Sequence, residues 1–490
     1  MVKKIVLTWF WIAAGAFSSA AQDTLLLQLP EAIDLGVSRS VDALVVKNEY
    51  LSSYWEYNNY RTEFLPEIIL NGTLPQYSKS YNQYQNDQGE YSFVSNHYYK
   101  LNSGISIQQN IPWTGGLLSI QTSLQQLKQN GKPSSYNAIP FSITLEQPLS
   151  GYNRINWLKR IEPVKYHEAT QLLVSEMEEV AHTTLQYYFD LLLGRVNLDI
   201  AHQNLENAEK LYLVAETKRQ LGQISEAELL QMKGTLLNAQ LSRIDALASF
   251  DARMFQLRSF LGLGEDVVII PEVPPIYADS MPQLSYADVL VRARENNAFT
   301  FNIRRRMLEA SRDLHAAKAD RWNIQLFASF GYSGLQNSFS SAYQNSNWRD
   351  DQVVSVGIKI PIIDWGRRKS NVEISRANLN LVTSQVAKEE LDFDQNIYLR
   401  VQNFNYQPLK VLLAQEANLL ANQRYETIVE AFLLGKIEIL NLNDSQHSKD
   451  VARRNYIEQL YLLWSYHYQI RSLTLYDYIY QKDLNQIYNL

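Results

Sequence analysis

Three stretches of the 490-residue chain have the composition of reactive sites. Arg304, Arg305 and Arg306 stand side by side, the residue type that grips phosphate or lipid headgroup oxygens in pairs. His167-Glu168 opens like a zinc-protease signature, in which a second histidine four positions on completes the metal pair; position 171 is Gln instead. Gly262-Leu263-Gly264 has the glycines of a nucleotide loop but lacks the strand, loop and helix frame that turns backbone amides toward phosphate. The arginine triplet therefore reads as the solvated face of a helical arm, and the glycine pair as a helix stop. The seven histidines are scattered without ligand spacing, and neither GxSxG nor a P-loop occurs. With no cysteine, disulfides, thiolate metal sites and a lipid-anchored cysteine are excluded. No nucleophile and base pair, cofactor site or metal site is expected, and the chain does not read as an enzyme.

The elements that carry these residues are more informative. Residues 1–21 have a basic start at Lys3 and Lys4, an apolar run from Ile5 to Phe17, and small Ser19 and Ala21 before a cut at Gln22, which reads as an export signal. The net charge of −6 becomes more negative without those lysines, and nothing favours nucleic acid. Beyond the signal no stretch approaches the roughly 20 apolar residues of a spanning helix, so a membrane must be entered as strands. Alternation supplies them. In 64–78, Ile68, Leu70 and Leu74 oppose Glu67, Asn71 and Thr73; segments 100–112, 116–128 and 139–149 follow. Leu101, Ile105 and Ile107 oppose Asn102, Ser106 and Gln108, the pattern of a barrel strand between lipid and a wet lumen. Residues 79–99, rich in Tyr, Asn, Gln and Ser, read as a long exposed loop.

Helical patterns flank the strands. One runs from Glu31 to about Glu63, and another from about Lys165 to about Phe260 with Leu198, Ala201, Leu205, Ala208, Tyr212 and Ala215 in heptad rhythm. Up to Leu221 the latter would span roughly 85 Å at the helical rise, too long for a compact domain. It is broken at QLGQISEAELL, and a second break, LLGKIEILNLNDS, repeats the first. Gly222 and Gly435, Ile224 and Ile437, and Leu229 and Leu442 are each 213 positions apart. LQLPEAIDLG (27–36) likewise restarts as PQLSYADVLV (282–291), and QPLSGYNR (147–154) as IPIIDWGR (360–367). Each break is expected to be a hairpin turn, with glycine supplying left-handed backbone and Ser225 capping the returning helix.

EAIDLG, FLPEI, QPLSG, IPIIDWG, LGQISEAELL and LGKIEILNLNDS, in this order and duplicated, resemble the TolC family of outer membrane efflux proteins over essentially the whole mature chain. The resemblance implies an α+β membrane protein: a trimeric transmembrane β-barrel continued by a long periplasmic helical coiled-coil barrel, built from two internal repeats. The first repeat is then 22–281, with strands in 64–149 and a helical hairpin at 165–260. The second is 282–490, with strands in 322–362, a hairpin at 367–475 and a C-terminal tail. Four strand-like segments in the first repeat against two in the second leave the barrel at four or six strands per protomer. The implied role is the outer membrane channel of a tripartite efflux or type I secretion system, a passive conduit served by a periplasmic adaptor and an inner membrane pump. A barrel-borne envelope enzyme and a purely structural envelope-spanning protein are the alternatives. By the same resemblance Asp444 and Asn441, with Glu228, would line the periplasmic entrance. Leu221, Gly222, Ile224, Leu434, Gly435 and Ile437 would form the adaptor-docking tip. Trp113 and Trp365, at the barrel ends, suit anchoring among outer membrane lipid.

Overall fold

A computed structural model describes residues 24–129, 131–149, 151–275, 281–322, 324–336, 338–344, 351–359, 362–434, 436–437 and 439–487. The expected export signal and Gly435 lie outside the described residues. The fold is α+β. In chain order it comprises β1 (Thr24–Leu27), α1 (Leu29–Arg39), α2 (Val41–Thr62), β2 (Glu67–Gln85), β3 (Tyr91–Asn110), β4 (Leu117–Gln129) and β5 (Ser135–Pro148). Then come α3 (Arg154–Gln220), α4 (Glu226–Phe260), β6 (Val268–Pro271), α5 (Tyr286–Asn296), α6 (Ala298–Asp320), β7 (Gln325–Gln336) and α7 (Phe339–Ala342). The last of the principal elements are β8 (Asp351–Lys359), α8 (Arg367–Leu433) and α9 (Ile439–Thr474). No described helix is long and apolar enough to cross a membrane.

The chain divides into two compact units. The first comprises Met1–Val46, Ser175–Val289 and Leu399–Asn489. Here α4 folds back along α3, as the Arg253 guanidinium donating to the Asp190 carbonyl at 2.7 Å requires. In the same way α9 returns along α8, with the Gln407 amide donating to the Gln459 carbonyl at 2.9 Å. The core between them joins Leu185, Leu192 and Val196 of α3 to Met254 and Leu257 of α4, Val411 of α8 and Leu460 and Leu463 of α9. β1 pairs in parallel with β6, from Thr24↔Val268 to Leu27↔Pro271, and the buried Tyr188 hydroxyl lies 2.9 and 2.7 Å from the Leu27 and Glu272 carbonyls. A Cβ at Gly36 would meet the Thr184 hydroxyl at 2.1 Å, so glycine is what lets α1 lie against α3.

The second unit, Lys47–Val174 and Leu290–Tyr398, holds the sheet. Its strand order is β2-β3-β4-β5-β7-β8, antiparallel throughout. The first half of the chain thus supplies four strands and the second two, as the segment count anticipated. One row of paired residues crosses the whole sheet: Ile68, Ile107, Ile120, Ile143, Phe330 and Val354. The next row, on the other face, runs through Ser106, Gln121, Ser142 and Gly331. Helices of this unit are joined by stacked rings, Tyr57 on Tyr166 at 4.5 Å and Phe299 on Phe393 at 4.4 Å.

Four expectations are corrected. Residues 79–99 are not a long loop: β2 and β3 pair continuously from Gln76↔Lys100 to Gln85↔Tyr91, leaving only the turn at 86–90. Tyr77, Tyr81, Tyr91, Phe93 and Tyr99 share one face of this hairpin, but hydroxylated rings alternating with amides do not register as apolar alternation. The helix expected from Glu31 to Glu63 is two helices, separated at Ser40, whose hydroxyl caps α2 by accepting from the Ala43 amide at 3.1 Å. α3 begins at Arg154 rather than near Lys165, because the Asn153 side chain accepts from the Asn156 amide at 3.1 Å and the helix then carries Pro163. Nor are Arg305 and Arg306 solvated. Arg305 pairs with Glu168 at 2.6 Å and with Glu309 at 3.1 Å, and Arg306 pairs with Glu389.

Candidate functional site

The end of each helical hairpin is built by backbone chemistry. At the end of α3 the Gln223 amide donates to the Lys218 carbonyl at 2.8 Å, and Gly222 between them has φ +73°, a left-handed conformation that closes helices with glycine. Ser225 then starts α4. Its hydroxyl accepts from the Glu228 amide at 3.2 Å, and the Glu228 carboxylate accepts from the Ser225 amide at 2.7 Å, a reciprocal capping box. These bonds hold the Glu228 carboxyl below its ordinary range. At the end of α8 the Lys436 amide donates to the Ala431 carbonyl at 3.0 Å, the same bond 213 positions later. Leu221 and Leu434 project from the two turns, 67% and 70% exposed, while Ile224 and Ile437 are half-buried. The two hairpin ends are neighbours: the Lys218 ammonium lies 5.6 Å from the centre of the Phe432 ring.

Asp444 and Asn441 are exposed on α9. Asp444 accepts from Arg424 of α8 at 2.8 Å, while Glu228 serves the cap of α4. Each carboxylate is thus engaged on its own hairpin, and no described contact brings them together. Below them lies a cluster that sequence reading missed. The Asn204 amide of α3 donates to Asp450 at 2.7 Å, Asn207 donates to the Tyr425 hydroxyl at 2.9 Å, and the buried Lys449 ammonium sits 4.2 Å from the Tyr425 ring centre. Burial lowers the Lys449 ammonium and raises the Tyr425 hydroxyl from their ordinary values. A signal did exist. Leu442, Ser445 and Lys449 are spaced by three and four along the buried stripe of α9, so a cation occupies a position that faces the neighbouring helices.

A second buried charge cluster pins the C-terminal segment. Arg471 pairs with Glu178 at 2.8 Å and with Asp477 at 3.0 Å; Asp477 also accepts from the Ile479 and Tyr480 amides, and His467 lies 3.7 Å away. Burial alone would raise the Asp477 carboxyl, but His467, Arg471 and the Tyr480 amide reverse this and take it to about 2. Burial holds the His467 imidazole below its ordinary value despite the nearby carboxylate.

Trp113, in the β3 to β4 turn, and Trp365, between β8 and α8, are 88% and 94% exposed. Among the described residues no group of His, Asp or Glu is arranged to hold a metal ion.

Comparison with known proteins bears out the resemblance to TolC-like efflux proteins. The outer membrane efflux protein family profile matches residues 56–263, in agreement with the outer membrane location read from the sequence. No match is found among curated proteins. Solved structures share the fold at low identity. The CmeC outer membrane channel of Campylobacter jejuni aligns with TM-score 0.64 and 14% identity over 91% of this chain and 85% of its own. The open-state MtrE outer membrane channel of Neisseria gonorrhoeae gives 0.58 and 14% over 91% and 88%. The outer membrane protein VceC of Vibrio cholerae gives 0.57 and 13% over 91% and 95%.

Proposed function

We propose that this chain, which carries the outer membrane efflux protein profile over residues 56–263, is the outer membrane channel of a tripartite efflux or type I secretion system. Three copies form the pore, a periplasmic adaptor docks on the hairpin ends, and an inner membrane pump supplies the energy; the chain itself is a passive conduit. One observation carries the reading. A sheet with an apolar face and a hydroxyl-rich face occurs in the same chain as two long helical hairpins whose turns present exposed Leu221 and Leu434. The first feature suits a wall between lipid and water, and the second suits packing against another helical hairpin.

In this reading the repeats meet at 281 and 282, each hairpin forms periplasmic wall, and Asp444, Asn441 and Glu228 face the entrance. Leu221, Gly222, Ile224, Leu434, Gly435 and Ile437 form the docking tip, and Trp113 and Trp365 meet the lipid interface. The test is physical. Light scattering of the detergent-purified protein should give the mass of three chains, and planar bilayers should show discrete conductance steps. A stable monomer, or a trimer that leaves bilayers silent, would refute the conduit.

A further inference from the structure

The sheet within one chain is open. Its order leaves β2 and β8 with one paired edge each, and bare edges do not persist in lipid. Five successive antiparallel pairings separate these two strands, so β8 runs opposite to β2. Both edges point the same residue types the same way. Ile68, Leu70 and Leu74 on β2 are 71%, 77% and 89% exposed, and Val354, Val356 and Ile358 on β8 are 68%, 70% and 60% exposed. The row from Ile68 to Val354 places both sets on one face.

We propose that all six strands stand in the pore wall, with the β8 edge of each copy pairing antiparallel to the β2 edge of the next. Resting on the trimeric conduit reading, this gives six strands from each of three copies, eighteen in all. The alternative is a narrower wall of β4, β5, β7 and β8, with the β2–β3 hairpin lying outside it. The ladder between β3 and β4 argues against that. It runs unbroken from Asn110↔Leu117 to Tyr98↔Gln129, whereas β2–β3, β4–β5 and β5–β7 each contain a register shift. The hairpin is therefore joined to the sheet by one of its most regular seams.

Closure turns the apolar row into a continuous ring toward lipid. The inward face then carries the hydroxyls and amides of Asn71, Ser106, Gln121, Ser142, Ser329 and Ser355, interrupted by the charged Glu67, Lys100 and Glu146. Barrels of 16–18 strands leave an aqueous channel open.

The chain has no cysteine, so introduced pairs can be oxidised cleanly. Ser355→Cys would be combined in turn with Glu67→Cys, Asn71→Cys and Thr73→Cys. The Ser329 and Ser355 hydroxyls are 2.7 Å apart within one chain, so Ser329→Cys with Ser355→Cys is the internal control. At least one β8–β2 pair should give a denaturation-resistant ladder ending at three linked chains, absent from each single variant. Two outcomes overturn the six-strand wall while leaving the conduit standing, provided light scattering shows a trimer. One is that Ser355→Cys links between chains to Ser119→Cys, Gln121→Cys or Ser123→Cys of β4. The other is that the control oxidises and no link between chains forms. A monomer removes both readings.

Discussion

Asp444 on α9 is the acceptor of a 2.8 Å hydrogen bond from Arg424 on α8, so the carboxylate proposed for the entrance belongs to an ion pair within its own hairpin. Both side chains are more than half exposed, and such pairs contribute about 1 kcal/mol or less to stability. Its larger effect is on the local field, since Arg424 cancels much of the Asp444 charge at short range, which bears on the proposed entrance.

The first prediction follows from that pairing. Arg424→Gln should raise the cation preference of the open pore, and Asp444→Asn should lower it. Asp444→Lys reverses the charge and should have about twice the effect of neutralisation. Reversal potentials in planar bilayers under a salt gradient measure all three. If none of them moves, Asp444 is a surface carboxylate and Glu228 is the next position to test.

The second concerns Gly222, whose φ of +73° excludes β-branched residues. Gly222→Val should strain the turn by ~1–3 kcal/mol and abolish crosslinking to the adaptor while the trimer still assembles. Gly222→Asn, which tolerates the left-handed region, should retain crosslinking. Unchanged crosslinking in the valine variant would reject the tip as the docking surface.

The third concerns acid. Asp477 has its carboxyl lowered to about 2, so it contributes about 2 kcal/mol that is present above the unfolded value near 4 and lost as pH falls through 2. His467 is also lowered. An unfolded imidazole takes its proton near pH 6.5 and the buried one does not, so stability already declines as pH falls below that value. Hydrogen exchange over residues 475–487 should therefore quicken in two stages on acidification. Arg471→Met, which leaves Glu178 and Asp477 without their cation, should cost ~3–5 kcal/mol and expose this segment to protease at neutral pH. A segment equally protected in that variant would show that the cluster does not pin it.

Legibility in the sequence followed the physical origin of each feature. The hairpin turn at Gly222 could be read because glycine, the Ser225 cap and Glu228 three residues on act locally. The strands bearing Ile105 and Ile107 could be read because one face is apolar. The β2–β3 extension could not, since its Tyr, Gln and Ser differ little in hydropathy and only the partner strand fixes their register. Arg305 and Arg306 were misread because their partners, Glu168 and Glu389, lie 137 and 83 positions away. Lys449 and Asp450 escape the sequence for a related reason: the spacing from Leu442 through Ser445 is visible, but only the helices packed against it show that it buries a charged pair.

The parallel pair of β1 and β6 bears on how the molecule is made. Thr24–Leu27 leaves the ribosome long before Val268–Pro271 exists, yet Leu27 is 1% exposed only because that later strand and α3 cover it. The earliest strand must wait unpaired while α1, α2, four strands and the first helical hairpin are made behind it. Contacts so distant in sequence form slowly, and apolar segments left open in the meantime aggregate. Completion of the first unit's core therefore waits on Val268–Pro271 rather than on the folding of any nearby segment.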